Sequence, residues 1–261
     1  MKKTIYLIAG VLLLFSCKKE SSNPTNNSTT NSNNTNPVNC IDNTNINFTC
    51  IGTPIGKFGD CIKDVDGNTY KTVTIGTQIW MAENLKTSKY NDGTDIPNVT
   101  IAKQWTELTT GAWCNYNNSD SLGKIYGKLY NWYATNPTTN GNKNVCPSGW
   151  HLPNNTEWNS LIEFLGGKNI AGSKLKEIGV LKWNTPNYES NNISLFSALP
   201  IGARDYYNGE FVNLGINGYF WSSDESKSTD AWFLYLENKS NSSYLKSDDK
   251  PLGISIRCMK N

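Results

Sequence analysis

Cys146-Pro147-Ser148-Gly149-Trp150-His151-Leu152-Pro153-Asn154-Asn155-Thr156-Glu157-Trp158 is the stretch from which the rest of the chain can be placed. Pro153 ends an extended segment, and Asn154 has the short polar side chain an N-cap needs. Glu157, three residues on, is positioned to reach back as a capping box. Trp158, Leu161, Ile162 and Leu165 then recur at i, i+3, i+4 and i+7, which puts them on one helix face. Gly166-Gly167 closes the helix, because glycine enters the left-handed conformation of a helix stop without strain. The sequence thus predicts an amphipathic helix around whose apolar face the domain packs.

At the start of the chain, Lys2 and Lys3 precede an apolar run from Ile5 to Phe15. This is the pattern of an export signal, too short to span a bilayer as a mature helix. Leu14-Phe15-Ser16-Cys17 resembles a bacterial lipobox, which implies a signal peptide of residues 1–16 and acylation at Cys17. The alternative is a simple secretory signal with an incidental cysteine. Several acyl chains on one residue make a stable anchor, since each buried CH₂ contributes roughly 0.8 kcal/mol. From Ser21 to Pro37 every residue is Ser, Asn, Thr or Pro. Such a run has nothing to bury and reads, within residues 17–37, as a tether reaching about 25 Å as a flexible coil. The expected location is the cell envelope, outer membrane included, with the membrane as a partner through the lipid.

Residues 38–63 hold Cys40, Cys50 and Cys61 among few large apolar residues. They read as an extension stapled by a disulfide such as Cys40–Cys50, or as a strand added to the main sheet. Residues 64–261 are long enough to bury a core without a metal. Net charge is +2 over 261 residues with no basic cluster, which argues against a nucleic-acid partner.

Asp64-Val65-Asp66-Gly67-Asn68 is rich in oxygen ligands, but an EF-hand register would put Ile75 where the twelfth-position carboxylate belongs. A hairpin turn at Asp66-Gly67, between Ile62 and Tyr70–Ile75, fits better. Gln78–Ala82 reads as the next strand. Tyr126, Leu129, Tyr130 and Tyr133 again fall at helical spacing and predict a first helix, crossing the one at 154–165 and sharing its apolar face. Phe196–Pro200, Tyr219–Ser223, Ala231–Leu236 and Ile254–Cys258 read as short antiparallel strands. Helices first and strands later indicate an α+β fold.

Asp66-Gly67-Asn68-Thr69-Tyr70 and Ile75-Gly76-Thr77-Gln78-Ile79-Trp80-Met81-Ala82-Glu83-Asn84-Leu85 resemble the opening of the Fibrobacter succinogenes major paralogous domain. Tyr126–Ala134, Cys146–Trp158, Phe196–Pro200, Trp221-Ser222-Ser223 and Ile256-Arg257-Cys258 continue the resemblance in order. It implies an envelope lipoprotein, as in Bacteroidota, and carries no established activity. Leu152–Trp158 and the terminal Ile-Arg-Cys are also similar to the formylglycine-generating enzyme family. That second resemblance implies a C-type-lectin-like fold, with two helices packed on short antiparallel sheets among long irregular loops. The closely spaced cysteine pair of that oxidase has no counterpart here, nor has the calcium motif of sugar-binding lectins. Trp183-Asn184-Thr185 only half matches its companion.

Beyond Cys17, six cysteines allow fifteen connectivities. The fold resemblance favours Cys146–Cys258, with Cys114 paired into the extension or free and buried. No cofactor and no metal site is expected: His151 is the only histidine and no Cys-x-x-Cys occurs. His151 with Ser222 and Asp224 lacks the strained elbow of a catalytic serine, so no catalytic residue is assigned. A ligand surface would lie on the irregular loops, with Arg204, Asp205, Tyr206, Tyr207, Trp221 and Asp224 as its candidates. The reading is a non-catalytic binding or adhesion domain for glycan or a surface protein. The alternatives are a degenerate relative of the formylglycine-generating enzymes with a redox activity, and a purely structural envelope component.

Overall fold

The computed structural model describes residues 53–261. Residues 1–16, Cys17, the tether to residue 37, Cys40 and Cys50 lie outside them. Short strands Lys57–Phe58 (β1), Ile62–Lys63 (β2), Thr69–Tyr70 (β3), Thr72–Ile75 (β4) and Gln78–Met81 (β5) come first. Helix Ala102–Thr106 (α1), strand Trp113–Cys114 (β6), helix Asp120–Tyr126 (α2), strand Leu129–Tyr130 (β7) and helix Pro137–Asn140 (α3) follow. Strand Trp150–His151 (β8) leads into helices Asn155–Phe164 (α4) and Lys168–Leu175 (α5). The hairpin Ala203–Arg204 (β9) and Phe211–Val212 (β10) precedes three long strands, Asn217–Glu225 (β11), Asp230–Glu237 (β12) and Ser243–Asp249 (β13). Met259–Lys260 (β14) ends the chain.

The fold is α+β, and every ladder between these strands is antiparallel. One sheet runs β1-β4-β5-β14-β8 and a second β11-β12-β13, with three two-stranded ribbons beside them. The final strand β14 is inserted between β5 and β8, with Met259 opposite both Trp80 and His151. Within residues 38–63, β1 is added to the edge of the first sheet through β4, and Cys61 is disulfide-bonded.

Helix α4 joins the two large sheets, and its local chemistry follows the sequence. Asn154 Oδ1 accepts from Glu157 N at 2.9 Å, and Asn154 N donates to Glu157 Oε2 at 2.8 Å, completing the capping box. Gly166, at φ 99°, donates to Glu163 O, and Gly167 donates to Ile162 O, a Schellman stop. Trp158, Leu161, Ile162 and Leu165 are all buried. They share one cluster with Trp80 from β5 and with Phe220 and Leu234 from the second sheet. The Trp158 ring lies 4.7 Å from Trp80 and 6.3 Å from Phe220, centroid to centroid.

The hairpin at Asp66-Gly67 also forms, with Ile62 opposite Tyr70. One carboxylate serves the turn and the other ties it to the chain at Ser88. Asp64 accepts from Asn68 N and Nδ2, and Asp66 accepts from Ser88 N at 2.6 Å.

Three expectations are corrected: the helix at Tyr126–Tyr133, the strand at Phe196–Pro200, and the strand at Ile254–Cys258, which holds only isolated bridges at Ile254 and Ser255 ahead of β14. Tyr126–Tyr133 is not a helix: α2 ends at Tyr126, Gly127 turns the chain at φ 83°, and β7 follows. A Cβ on Gly127 would sit 2.7 Å from Asn84 Cβ, so the turn is fixed by a neighbour far away in sequence. Tyr126 and Tyr130 fall in different core clusters from Trp158, and no shared helix face exists. The partner of α4 is α5, which the sequence did not announce because it packs through small residues. A Cβ on its Gly172 would meet Ser242 O at 2.2 Å. Phe196–Pro200 is an irregular segment rather than a strand, with Ser197 at φ 54° and one isolated bridge, Lys176 to Ala198.

Buried cations organise such segments. Arg257, fully buried, donates to Met81 O at 3.0 Å, Phe196 O at 2.6 Å and Asn84 Oδ1 at 2.7 Å. Arg204 donates to Val99 O, Thr100 O and Gly209 O, its guanidinium stacked 4.6 Å from the Trp105 ring. Lys176 Nζ donates to Tyr188 O, Glu237 O and Ser240 O. None of these three forms an ion pair among the described residues.

This core sets an alkaline signature. Burial pushes Lys176 down to about 8 and Arg257 down to about 9. The unfolded chain therefore binds more protons than the fold above pH 8, and these groups make stability rise with pH there. Burial raises the Tyr70 and Tyr130 phenols far above their ordinary value near 10. The fold then holds protons that the unfolded chain releases, so stability is lost as pH climbs beyond about 10. We expect the phenolate absorbance at 295 nm of the buried tyrosines to appear only in a cooperative step together with loss of near-UV dichroism, after the exposed ones such as Tyr207. Smooth titration of the full tyrosine signal with the fold intact would show Tyr70 and Tyr130 to be accessible.

Candidate functional site

Strands β11, β12 and β13 place three tyrosines in one row. Tyr219 lies directly opposite Tyr235, and Tyr235 directly opposite Tyr244. Directly opposed residues point to the same sheet face. Ring centroids are 5.3 Å apart for the first pair and 6.1 Å for the second. Tyr219 and Tyr235 are half-buried, and Tyr244 is 39% exposed. Asn217 braces the row: its Nδ2 donates to the Tyr219 hydroxyl at 2.8 Å, and its Oδ1 accepts from the Tyr235 hydroxyl at 3.3 Å. Lys246 Nζ lies 3.9 Å from the Tyr235 ring centroid and 5.5 Å from that of Tyr244.

Beyond the row the face turns acidic. Burial raises the Asp248 carboxyl, and Asp249, Asp230 and Asp205 add like charge. Tyr206, on the loop between β9 and β10, hydrogen-bonds Asp249, and the nearby Asp248 charge pushes its phenol up to about 12. Asp205 Oδ1 shapes that loop by accepting from Tyr207 N at 2.6 Å and Asn208 N at 3.2 Å. Tyr207 projects at 86% exposure. The geometry offers aromatic faces, one amine and several carboxylates on a pre-formed surface.

Of the six residues expected on a ligand surface, the structure brings Asp205 and Tyr206 to this face, and Tyr207 projects from the same loop. Arg204 and Trp221 are corrected: they are 1% and 0% exposed and lie in the core. Arg204 is consumed by three backbone carbonyls, and Trp221 Nε1 donates to Tyr130 O at 2.8 Å. Asp224 lies at the start of α4, where its Oδ2 accepts from Asn155 N at 2.9 Å, a favourable place for a carboxylate. The sequence missed Asn217, Tyr219, Tyr235, Tyr244, Lys246, Asp248 and Asp249 as site residues. The signal was the two-residue alternation from Tyr235 to Glu237 and from Tyr244 to Asp248, whose register only the folded sheet reveals.

His151, Ser222 and Asp224 form no triad. His151 Nε2 lies 2.9 Å from Glu157 Oε1 and its Nδ1 2.7 Å from Asn261 Oδ1, so both ring nitrogens are engaged elsewhere. Cys146 and Cys258 are joined by a disulfide. Cys114 is a free, buried thiol, pushed up to about 12 by burial.

The family model of the Fibrobacter succinogenes major domain matches residues 73–260, from within β4 into β14. No curated protein and no solved structure matches the chain.

Proposed function

We propose, from the premise that this chain belongs to the Fibrobacter succinogenes major domain family, that it is a non-catalytic binding protein of the cell envelope. Its ligand is a glycan laid along the tyrosine row. The observation that carries this reading is the braced alignment of Tyr219, Tyr235 and Tyr244. Pyranose rings present apolar C–H faces that stack on aromatic rings, while their hydroxyls donate to carboxylates such as Asp248 and Asp249. A surface protein is the other ligand class for such a face.

The redox alternative requires a reactive thiolate. Within the described residues Cys61, Cys146 and Cys258 are bonded and Cys114 is buried with its thiol pushed up, which favours binding over redox chemistry. The arrangement of the chain end is in keeping with a C-type-lectin-like fold. The last strand lies beside β5, and the loop ahead of α4 is tied to it through Cys146–Cys258.

For location, no helix of the described residues is long and apolar enough to cross a membrane. The proposed attachment is acylation at Cys17, ahead of the tether in the sequence, at the outer membrane. Cys17→Ser is expected to move the protein from the membrane fraction to the soluble one. A variant that stays membrane-bound would remove the lipid from the proposal.

Binding is tested on a glycan array with the full chain. Tyr235→Ala, at the centre of the row, is expected to weaken oligosaccharide binding by about tenfold, since it removes the middle ring and the support that ring gives Tyr219 and Tyr244, aromatic pairs being worth roughly 0.5–1.5 kcal/mol each beyond area. Unchanged glycan binding in that variant would remove the row as the site, and silence across glycans together with capture of an envelope protein would replace glycan by protein as the ligand.

A further inference from the structure

Between α5 and Trp183, residues 178–181 read Ile-Gly-Val-Leu, and their side chains stand in water. Leu181 is 99% exposed, Val180 57% and Ile178 44%. Single apolar residues on a surface are ordinary, whereas a contiguous group marks a contact. The backbone beneath them is held at both ends. Just ahead, buried Lys176 donates to Tyr188 O, Glu237 O and Ser240 O. Just behind, buried Trp183 donates from Nε1 to Ala198 O at 2.9 Å. Asn187 Nδ2 donates to Glu177 O at 3.0 Å and to Gly179 O at 2.6 Å. Gly179 turns the chain at φ 87°, and nothing lies within 4 Å of where its Cβ would sit. The result is a fixed apolar tip that the fold itself does not cover.

We infer that this tip dips into the surface of the lipid bilayer that carries the chain's anchor. The inference rests on the acylation at Cys17 proposed above and adds a second, weaker membrane contact. The chain enters the described fold beside the loop. Ile55 N donates to Ile193 O at 2.8 Å, and Phe58 of β1 lines a pocket of about 340 Å³ together with Glu177 and Lys182 from the base of the loop. A chain anchored through its N-terminal segment brings this end of the domain to the bilayer first, so even weak insertion is favoured by effective concentration. The loop carries no net charge into the headgroups, because Lys182 Nζ lies 2.9 Å from Glu177 Oε1. Two of its carbonyls already have Asn187 as a partner, which a lipid could not supply. Its side chains are aliphatic. Leucine and valine are under-represented at the energetic centres of protein interfaces, whereas a bilayer surface accepts an apolar group of any shape.

The test is electron paramagnetic resonance on the full lipidated protein in vesicles of phosphatidylcholine and phosphatidylethanolamine. A nitroxide is attached at Leu181→Cys and, for comparison, at Tyr207→Cys on the exposed β9–β10 loop. The unsubstituted chain, whose Cys114 is buried, serves as the blank. Oxygen dissolves in lipid and a polar nickel chelate does not, so the oxygen-to-nickel accessibility ratio should be about fivefold higher at 181 than at 207. Val180→Asp should bring the ratio at 181 down to that at 207 and, since Val180 is exposed, leave the thermal midpoint unchanged. A label at 181 as open to nickel as the one at 207 overturns the inference. A label at 181 shielded from both probes means that a protein, a second copy included, covers the tip, and overturns it as well. Mass spectrometry of the N-terminal peptide reports the acyl chain separately. If that chain is absent the anchor falls, and the tip is judged by the same two labels on the unlipidated protein at excess vesicles. The 181-to-207 contrast then upholds the tip without the anchor, and its absence removes both.

Discussion

The double variant Cys146→Ala/Cys258→Ala is expected to lose about 5 kcal/mol of stability, read as a shift in the urea midpoint. The bridge spans 112 residues. In the chain-entropy model, closing a loop of that length restricts the unfolded ensemble by about 5 kcal/mol. Replacing both partners avoids leaving a lone buried thiol, so the loss reports the cross-link and the two vacated sulfur sites. It also frees the chain end. Cys258 precedes β14, which lies between β5 and β8, and unpinned termini fray. Amide exchange at Met259 should accelerate more than exchange in β12. A loss below about 1 kcal/mol would mean that packing alone closes the domain.

Trp158→Ala is expected to cost about 3–5 kcal/mol, the range for deleting a buried aromatic side chain. The ring is 0% exposed and touches Trp80, Phe196 and Phe220, the last from the opposite sheet. Its Nε1 donates to Trp221 O at 3.4 Å, so truncation also removes a partner from that carbonyl. Asn154→Ala, one turn earlier, should cost only about 1 kcal/mol through the lost cap. The contrast between the two is the measurement. Equal small losses in denaturant melts would show that α4 does not join the sheets.

What the sequence revealed and what it hid divide by distance along the chain. The α4 segment was legible because its cap, apolar face and glycine stop all lie between residues 154 and 167. Tyr126–Tyr133 was misread because its spacing satisfied a helical period, while Gly127 obeys a steric contact with Asn84. Phe196–Pro200 looked like a strand by composition. In the fold the Phe196 carbonyl accepts from Arg257 and the Ala198 carbonyl from Trp183 Nε1, so the segment turns away from a ladder. The tyrosine row was hidden for a related reason. Each tyrosine sits on a different strand, and only the register of β11, β12 and β13 lines them up. Arg204 and Trp221 looked like surface chemistry because charge and aromaticity do not disclose burial.

The buried cations have a consequence for how the chain tolerates change. Of the acceptors around Arg204, Arg257 and Lys176, all but the Asn84 side chain are main-chain carbonyls. Every amino acid supplies a carbonyl. The loops that wrap these cations can therefore exchange nearly all their side chains and keep the same clasp, provided the path of the backbone is kept. Three long basic residues hold the scaffold constant, leaving the outward side chains of the loops free to drift toward new ligands.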